Sequence, residues 1–179
     1  MKITGGRYSK MNISAVSDKR TRYTPAIVRE ALFNMIDVTG MKMLELFAGS
    51  GVISAEALSR SVENTTLVEI SRPSCITIRK NLEKFGDNFT ILNLDFRIAI
   101  RRLISKGSDF DFIFADPPFG TGLLFETFKE IDGHPEILRS DGIIVIESFE
   151  KEILPDEGKN IHLKSKKNYG DVILNFFVR

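Results

Sequence analysis

The residues Phe112-Ile-Phe-Ala-Asp-Pro-Pro-Phe119 continue an apolar run that begins at Phe110 and ends at a carboxylate, two prolines and an aromatic ring. A short apolar run bounded by turn residues is typical of a strand buried on both faces of a parallel sheet. Ligands bind at the carboxyl ends of such strands, where Asp116 stands. Pro117 and Pro118 restrict the backbone beyond it. The sequence therefore predicts an α/β fold with a ligand site at this strand end.

We interpret Asp116, Pro117, Pro118 and Phe119 as the catalytic set. A planar base with an exocyclic amine suits them, because Asp116 and the carbonyl of Pro117 can each accept one N–H of the amine. Phe119 can stack on the base, a contact worth about 1–3 kcal/mol. An ordinary strand-to-loop turn explains the same residues, since Asp-Pro is a common turn opener.

Length and composition are those of a globular chain with one domain. The 179 residues are 42% hydrophobic and 27% charged, which are ordinary values for such proteins. No apolar run approaches the ~20 residues that cross a membrane, and no signal-peptide pattern opens the chain. We therefore expect a cytoplasmic protein and, by default, a monomer. Because the chain has one cysteine, Cys75, and two histidines, we expect no zinc-type metal site.

Positive charge is concentrated at the start of the chain. Residues 1–30 hold seven lysines and arginines against two acidic residues, whereas the whole chain has a net charge of +1. We expect residues 1–22 to form a basic arm with a small β-hairpin, ahead of a catalytic core at 23–179. Such an arm favours a polyanionic partner, and a solvated surface is the alternative.

The first helix is predicted to run from an N-cap at Thr24, with Pro25 at the first helical position, to about Val38. Four apolar residues repeat with helical spacing and are predicted to face the core: Ile27, Ala31, Leu32 and Met35. Arg29 lies off this stripe. It therefore faces either a ligand or solvent.

A strand at 41–47, a turn at Ala48-Gly-Ser-Gly51 and a helix at 52–60 follow. This order is typical of nucleotide-cofactor sites, because glycine lets the backbone approach a ligand that the helix N-terminus faces. The third glycine of the dinucleotide fingerprint is absent, which disfavours a pyrophosphate cofactor. Glu45 can accept a hydrogen bond from a cationic amine, or it can serve a plain tight turn.

The next two strands also end in acidic residues. The strand at 65–70 carries Glu69 at its end, where a carboxylate can accept two ribose hydroxyls. The strand at 89–94 leads to Asp95 and Phe96, a carboxylate and a ring that can hold an adenine. One acidic strand end is weak evidence when it stands alone.

The remaining pattern completes a Rossmann-like sheet. Helices are predicted at 73–85, 98–104 and 123–131, a buried strand at 142–147, and an antiparallel hairpin from strands at about 159–165 and 171–178. We expect seven strands, mostly parallel, with helices on both faces and an antiparallel hairpin at the C-terminal end.

Four acidic strand ends, a Gly-x-Gly turn after the first and Asp-Pro-Pro-Phe after the fourth resemble the class I S-adenosylmethionine-dependent methyltransferases. The tetrad resembles the signature of enzymes that methylate exocyclic amines of bases in RNA or DNA. A closer resemblance is to the RsmD family of bacterial 16S ribosomal RNA guanine-N2 methyltransferases. Its segments here are Arg29-Glu-Ala-Leu-Phe-Asn-Met-Ile36, Leu46-Phe-Ala-Gly-Ser-Gly51, Glu56-Ala-Leu-Ser-Arg60, Val68-Glu69, Asp116–Phe119 and Tyr169-Gly170-Asp171.

The resemblance implies S-adenosylmethionine as cofactor and 16S rRNA or the small ribosomal subunit as partner. The cofactor residues it implies are Glu45, Phe47, Ala48, Gly49, Ser50, Gly51, Glu69, Ile70, Asp95, Phe96 and Asp116. Asp116, Pro117 and Phe119 would hold the target guanine. The predicted RNA contacts are Arg7, Lys10, Arg20, Arg22, Thr24 and Arg29.

The sequence departs from the family pattern ahead of the first helix. Tyr23 stands where the family has proline, and Ala26 and Ile27 replace an Asp-Arg pair. Phe119 stands where many members carry tyrosine, a change that keeps the aromatic ring. Two other functions fit the same residues: an adenine-N6 methyltransferase acting on DNA or RNA, and a non-catalytic RNA-binding ribosome-assembly factor.

Overall fold

The computed structural model describes residues 1–16 and 23–179 of the chain. Its strands are β1 Lys42–Leu46, β2 Asn64–Val68, β3 Phe89–Leu92, β4 Phe110–Ala115, β5 Leu138–Phe149, β6 His162–Tyr169 and β7 Val172–Val178. Its helices are α1 Ala26–Met35, α2 Val52–Ser59, α3 Arg72–Leu82, α4 Phe96–Ser105 and α5 Leu123–Gly133, with short 3-10 turns at Glu83–Phe85 and Pro135–Ile137.

The strands form one seven-stranded sheet in the order β3-β2-β1-β4-β5-β7-β6. Strands β1 to β5 are parallel, whereas β7 is antiparallel to both β5 and β6. Leu46, the last residue of β1, pairs with Val68 of β2 and Ala115 of β4, and Ala115 pairs with Ile146 of β5. The residues that follow these strands therefore emerge at one edge of the sheet.

Helices cover both faces of the sheet, and β4 shows the division. Phe112 and Phe114 belong to a core cluster shared with α1, α2 and α3. Ile113 and Ala115 belong to a second cluster shared with α4 and α5. This alternation is what a strand buried on both faces requires. The predicted fold class, strand number and mixed sheet are confirmed.

Helix α1 differs from its prediction in phase and start. Ile27 and Met35, predicted core residues, are 70% and 40% exposed, while Val28 and Phe33 are buried beside the correctly predicted Leu32. The helix begins at Ala26, and its N-cap, Pro25, makes no side-chain capping bond. The predicted N-cap is wrong, because the hydroxyl of Thr24 donates to Glu147 instead. Two of the four predicted core positions are also wrong, because the buried face of α1 contains Arg29.

The N-terminal hairpin is reduced to a single bridge between Lys2 and Asn12. Its turn packs on the end of α2, where the amide of Arg7 donates to the carbonyl of Ser59 at 2.7 Å. Gly6 has a φ of 75°, and a Cβ there would lie 2.0 Å from that same carbonyl oxygen. Only glycine allows this approach.

The C-terminal hairpin is tighter than predicted. β6 continues through Lys166 and Lys167 to Tyr169, leaving only Gly170 and Asp171 between the two strands. Gly170 has a φ of 62°, as such short connections require. Polar residues are tolerated in β6 because it is an edge strand that faces solvent on one side.

Candidate active site

The chain turns from β1 into α2 through Phe47–Gly51. Phe47, Gly49 and Gly51 have positive φ angles of 60°, 54° and 72°. At Gly51 a Cβ would lie 3.2 Å from Cγ2 of Ile78 and 3.3 Å from Cδ2 of Leu67. Glycine is therefore selected there by backbone conformation and by packing under the turn.

Glu69, at the end of β2, is fixed against this turn. Its carboxylate accepts the amide N–H of Gly49 at 2.9 Å and that of Ser71 at 2.7 Å. The side-chain amide of Asn93 donates to the carbonyls of Glu69 and Ile70 at 2.8 and 2.9 Å. Asn93 was not among the predicted site residues, and its one sequence signal is its position just after β3.

A cavity opens at the same edge, with a volume of about 430 Å³ including its mouth. It is lined by Phe47, Val68, Glu69, Ile70, Leu94, Asp95, Phe96, Pro118 and Leu123. The rings of Phe47 and Phe96 lie 5.0 Å apart in its wall. Five predicted cofactor residues and one residue of the predicted catalytic tetrad thus meet around one cavity, and Ala48–Gly51 form the adjoining turn.

Asp95 is the N-cap of α4 as well as a cavity residue. Its carboxylate accepts the amide N–H of Arg97 at 2.9 Å and the Arg97 guanidinium at 3.0 Å. That guanidinium lies 4.6 Å from the centroid of Phe96 and also pairs with Glu126. Asp95 and Phe96 are therefore held in fixed orientations.

Glu45 lies beneath the turn, and it is absent from the described residues that line the cavity. It is 2% exposed and accepts hydrogen bonds from the amide and the hydroxyl of Ser54 in α2. Burial raises the pKa of this carboxyl to about 8, against the lowering effect of the Ser54 bonds. Its contact with a cofactor amine stays a prediction.

The Asp-Pro-Pro-Phe loop adjoins the cavity through Pro118. Asp116 follows β4 directly and is half-buried. The ring of Phe119 packs on Phe149, the last residue of β5, with 5.6 Å between the centroids. The Thr121 hydroxyl donates to the carbonyl of Pro118 at 2.6 Å, which closes the loop on itself.

A second carboxylate, Glu147, stands beside Asp116 on the neighbouring strand. Ala115 pairs with Ile146, so the residues that follow them are adjacent across β4 and β5. Glu147 is 2% exposed and accepts the hydroxyl of Thr24 at 2.8 Å. Glu147 was not among the predicted site residues, because no turn signal follows it in β5.

The predicted RNA contacts are not brought together. Arg7 and Lys10 are exposed on the N-terminal segment beside the C-terminal end of α2. The glycine turn lies at the other end of that helix, whose eight residues rise about 12 Å. Arg20 and Arg22 lie outside the described residues.

Arg29 and Thr24 are buried and serve the scaffold. The Arg29 guanidinium donates to Glu56 at 3.2 Å and to the carbonyls of Thr24 and Lys2 at 2.7 and 2.8 Å. Both residues are at most 3% exposed. Neither presents a surface to a partner in this structure, so their contact with RNA stays a prediction that the burial does not support.

Residues 1–16 and 23–179 contain neither a candidate metal site nor a candidate membrane helix. No group of three or more His, Cys, Asp or Glu side chains there could hold a metal ion. No helix in that part is long and apolar enough to cross a membrane.

A family model described as Conserved hypothetical protein 95 matches residues 1–178. Ribosomal RNA small subunit methyltransferase D of Escherichia coli K12 is 31% identical over 182 residues, covering 100% of this chain and 90% of that protein. The chain belongs to the RsmD family. The solved structure of yhhF from Escherichia coli is 31% identical to this RsmD family chain, with a TM-score of 0.85 and coverage of 100% and 97%.

A ribosomal protein L11 methylase from Lactobacillus delbrueckii shares the RsmD fold at 15% identity, with a TM-score of 0.64 and coverage of 84% and 76%. That likeness shows the fold alone. Membership of the RsmD family confirms the predicted enzyme class, a methyltransferase, and its cofactor, S-adenosylmethionine.

Proposed function

We propose that the protein methylates the exocyclic N2 of a guanine in 16S rRNA. The observation that carries this proposal is the junction of the Asp-Pro-Pro-Phe loop with the cavity, through Pro118. The relative in Escherichia coli is named for the small-subunit rRNA, which supports the substrate class. We expect a cytoplasmic monomer that acts on 16S rRNA or on the small subunit.

The cavity fits S-adenosylmethionine in its chemistry. Glu69, oriented by two backbone N–H groups, offers carboxylate oxygens to the ribose hydroxyls. Phe47 and Phe96 offer apolar surface to the adenine, and Asp95 an acceptor for its amine. When bound there, the cofactor supplies a methyl group already activated by a sulfonium.

The residues of the loop position and polarise the target base. Asp116 and the Pro117 carbonyl accept the two N–H groups of the guanine amine, and Phe119 stacks on the ring. Positioning of this kind is the main source of acceleration when the donor is already activated. The charge of Asp116 also stabilises the positive charge that grows on the nitrogen. No strong base is required, because a methylated ammonium of this type loses its proton readily.

Transfer of tritiated methyl groups to small ribosomal subunits from cells lacking the protein tests the proposal. The RNA is digested to nucleosides, which are then separated. We expect the label in N2-methylguanosine. Label in N6-methyladenosine would replace guanine by adenine as the target, and an unlabelled subunit would contradict an rRNA substrate.

A further inference from the structure

An exposed basic surface runs along α3 to the N-terminal segment. Its cations are Arg72, Arg79, Lys80, Lys84, Arg7 and Lys10, all exposed. We call these six side chains the α3 basic surface. It begins near the mouth of the cofactor cavity, because Ile70 lines that cavity and Arg72 opens α3 two residues later.

The α3 part of this surface lines a groove. Arg72, Ile76, Arg79 and Lys80 border it from the helix, the acidic Glu83 of the following 3-10 turn also lines it, and the edge strand β3 closes it at Ile91. The helix has 11 residues and rises about 16 Å. Ile76 is 54% exposed between the cations, so the groove offers apolar contact as well as charge.

Contacts join this groove to the N-terminal segment. The ring of Tyr8 packs edge-on against Phe85 with 4.9 Å between centroids, and the Arg7 guanidinium carbon lies 5.6 Å from the Tyr8 centroid. Lys84 donates to the carbonyl of Asn12 at 3.3 Å. The cations of α3 and of the N-terminal segment therefore form one continuous surface.

Among the described residues, two of the three arginines of α4 form ion pairs, whereas neither arginine of α3 does. On the α4 face Arg97 pairs with Asp95 at 3.0 Å, Arg101 with Glu130 at 3.0 Å, and elsewhere on the body Arg139 pairs with Asp111 at 2.8 Å. Within the described ranges, none of the six cations of the α3 basic surface forms an ion pair. The groove holds three cations against one acidic side chain, Glu83, so it keeps a net attraction for an external polyanion, whereas paired cations lose most of theirs.

We propose that the α3 basic surface binds the phosphate backbone of the RNA whose base enters the active site. This proposal rests on the proposed function, since it assumes an RNA substrate. Lysine and arginine contacts to phosphates fix the register of a nucleic acid without reading its sequence. The surface would thus hold the RNA along α3, while the Asp-Pro-Pro-Phe loop receives the base.

A charge-matched pair of double variants tests the proposal. R79A/K80A removes two cations from the exposed side of α3, and R101A/R102A removes two from the exposed side of α4, with the same change in net charge. Binding of 16S rRNA is measured between 50 and 200 mM salt. We expect R79A/K80A to reduce the slope of log affinity against log salt by about 1.4 to 1.8, since each phosphate contact contributes about 0.7 to 0.9. R101A/R102A should keep the wild-type slope.

Methyl-transfer kinetics distinguish a failure of this proposal from a failure of the proposed function. With saturating RNA, R79A/K80A should keep the wild-type kcat and raise only the KM for RNA, because neither residue lines the cavity. A wild-type salt slope in R79A/K80A, or an equal reduction of the slope in both variants, would overturn the proposal that the α3 basic surface binds RNA. Either result would leave the methyltransferase assignment intact. A wild-type protein that neither binds nor methylates rRNA would overturn both.

Discussion

Two carboxylates from segments that carry the family resemblance lie in opposite environments. Glu56 of α2 is fully buried, and its oxygens accept bonds from Arg29, Arg60 and the amide and hydroxyl of Thr4. Glu69 is held by two backbone N–H groups and lines the cavity. A carboxylate neutralised by cations from its own chain serves the scaffold, whereas one fixed only by backbone can serve a ligand.

The Glu56 cluster therefore explains why a family segment need not contact substrate. It joins three parts of the chain: the N-terminal segment through Thr4, α1 through Arg29, and α2 through Glu56 and Arg60. The arginine that sequence analysis assigned to RNA is one of its members.

Removing the buried partner should have the largest effect on stability. Glu56→Ala leaves two cations inside the protein without a counterion, and we expect a loss of about 3–5 kcal/mol in the free energy of unfolding. Glu83→Ala, at an exposed position of the same face, should change it by less than about 0.5 kcal/mol. Denaturant titration measures both, and a loss below about 1 kcal/mol in Glu56→Ala would erase the distinction between the two carboxylates.

Replacing Glu69 should weaken binding of the cofactor, whereas replacing Glu56 should reduce stability. Glu69→Gln removes the charge that strengthens hydrogen bonds to the ribose, so we expect the Kd for S-adenosylhomocysteine to rise about tenfold or more, equivalent to roughly 1.5–3 kcal/mol. Calorimetric titration measures this. Adenosine and 2′-deoxyadenosine provide the control: the wild type should discriminate between them and the variant should not. Equal discrimination in both proteins would remove the ribose role.

Glu45 should give the smallest effect, visible in the pH dependence of stability. Its pKa is raised by burial from 4.5 to about 8. Between these values the folded state keeps a proton that the unfolded state has lost, so the free energy of unfolding falls as pH rises through this window. Glu45→Gln cannot ionise, and the wild type should lose more than about 1 kcal/mol relative to it between pH 5 and pH 8. Parallel stability curves over that interval would contradict a buried, proton-holding Glu45.

Much of the sheet and the cavity could be predicted from the sequence. The apolar run of β4 has the length and boundaries of a buried strand, and the structure places it at Phe110–Ala115 as expected. Because parallel strands end at one edge, Glu69 and Asp95 could be assigned to one site without knowledge of their contacts. Local sequence patterns were enough to predict the site where the sheet topology alone brings its residues together.

The errors concern contacts between distant segments. Arg29 reaches Glu56 across 27 positions, and Thr24 reaches Glu147 across 123. An arginine in a helix normally marks the solvent face, so a buried one displaces the apparent stripe of α1 and exposes Ile27. Periodicity cannot reveal a buried ion cluster, because the partners that make burial tolerable lie elsewhere in the chain.

The most direct measurement of the whole account compares cofactor binding and methyl transfer in Asp116→Ala. Asp116 follows β4 beside the cavity, and in the proposed function it holds and polarises the target amine. We predict that single-turnover methyl transfer to rRNA falls at least 100-fold, in line with the removal of one charge-stabilising group, while the Kd for S-adenosylmethionine stays within a few-fold of the wild type. Wild-type turnover in this variant would contradict the assignment of the active site.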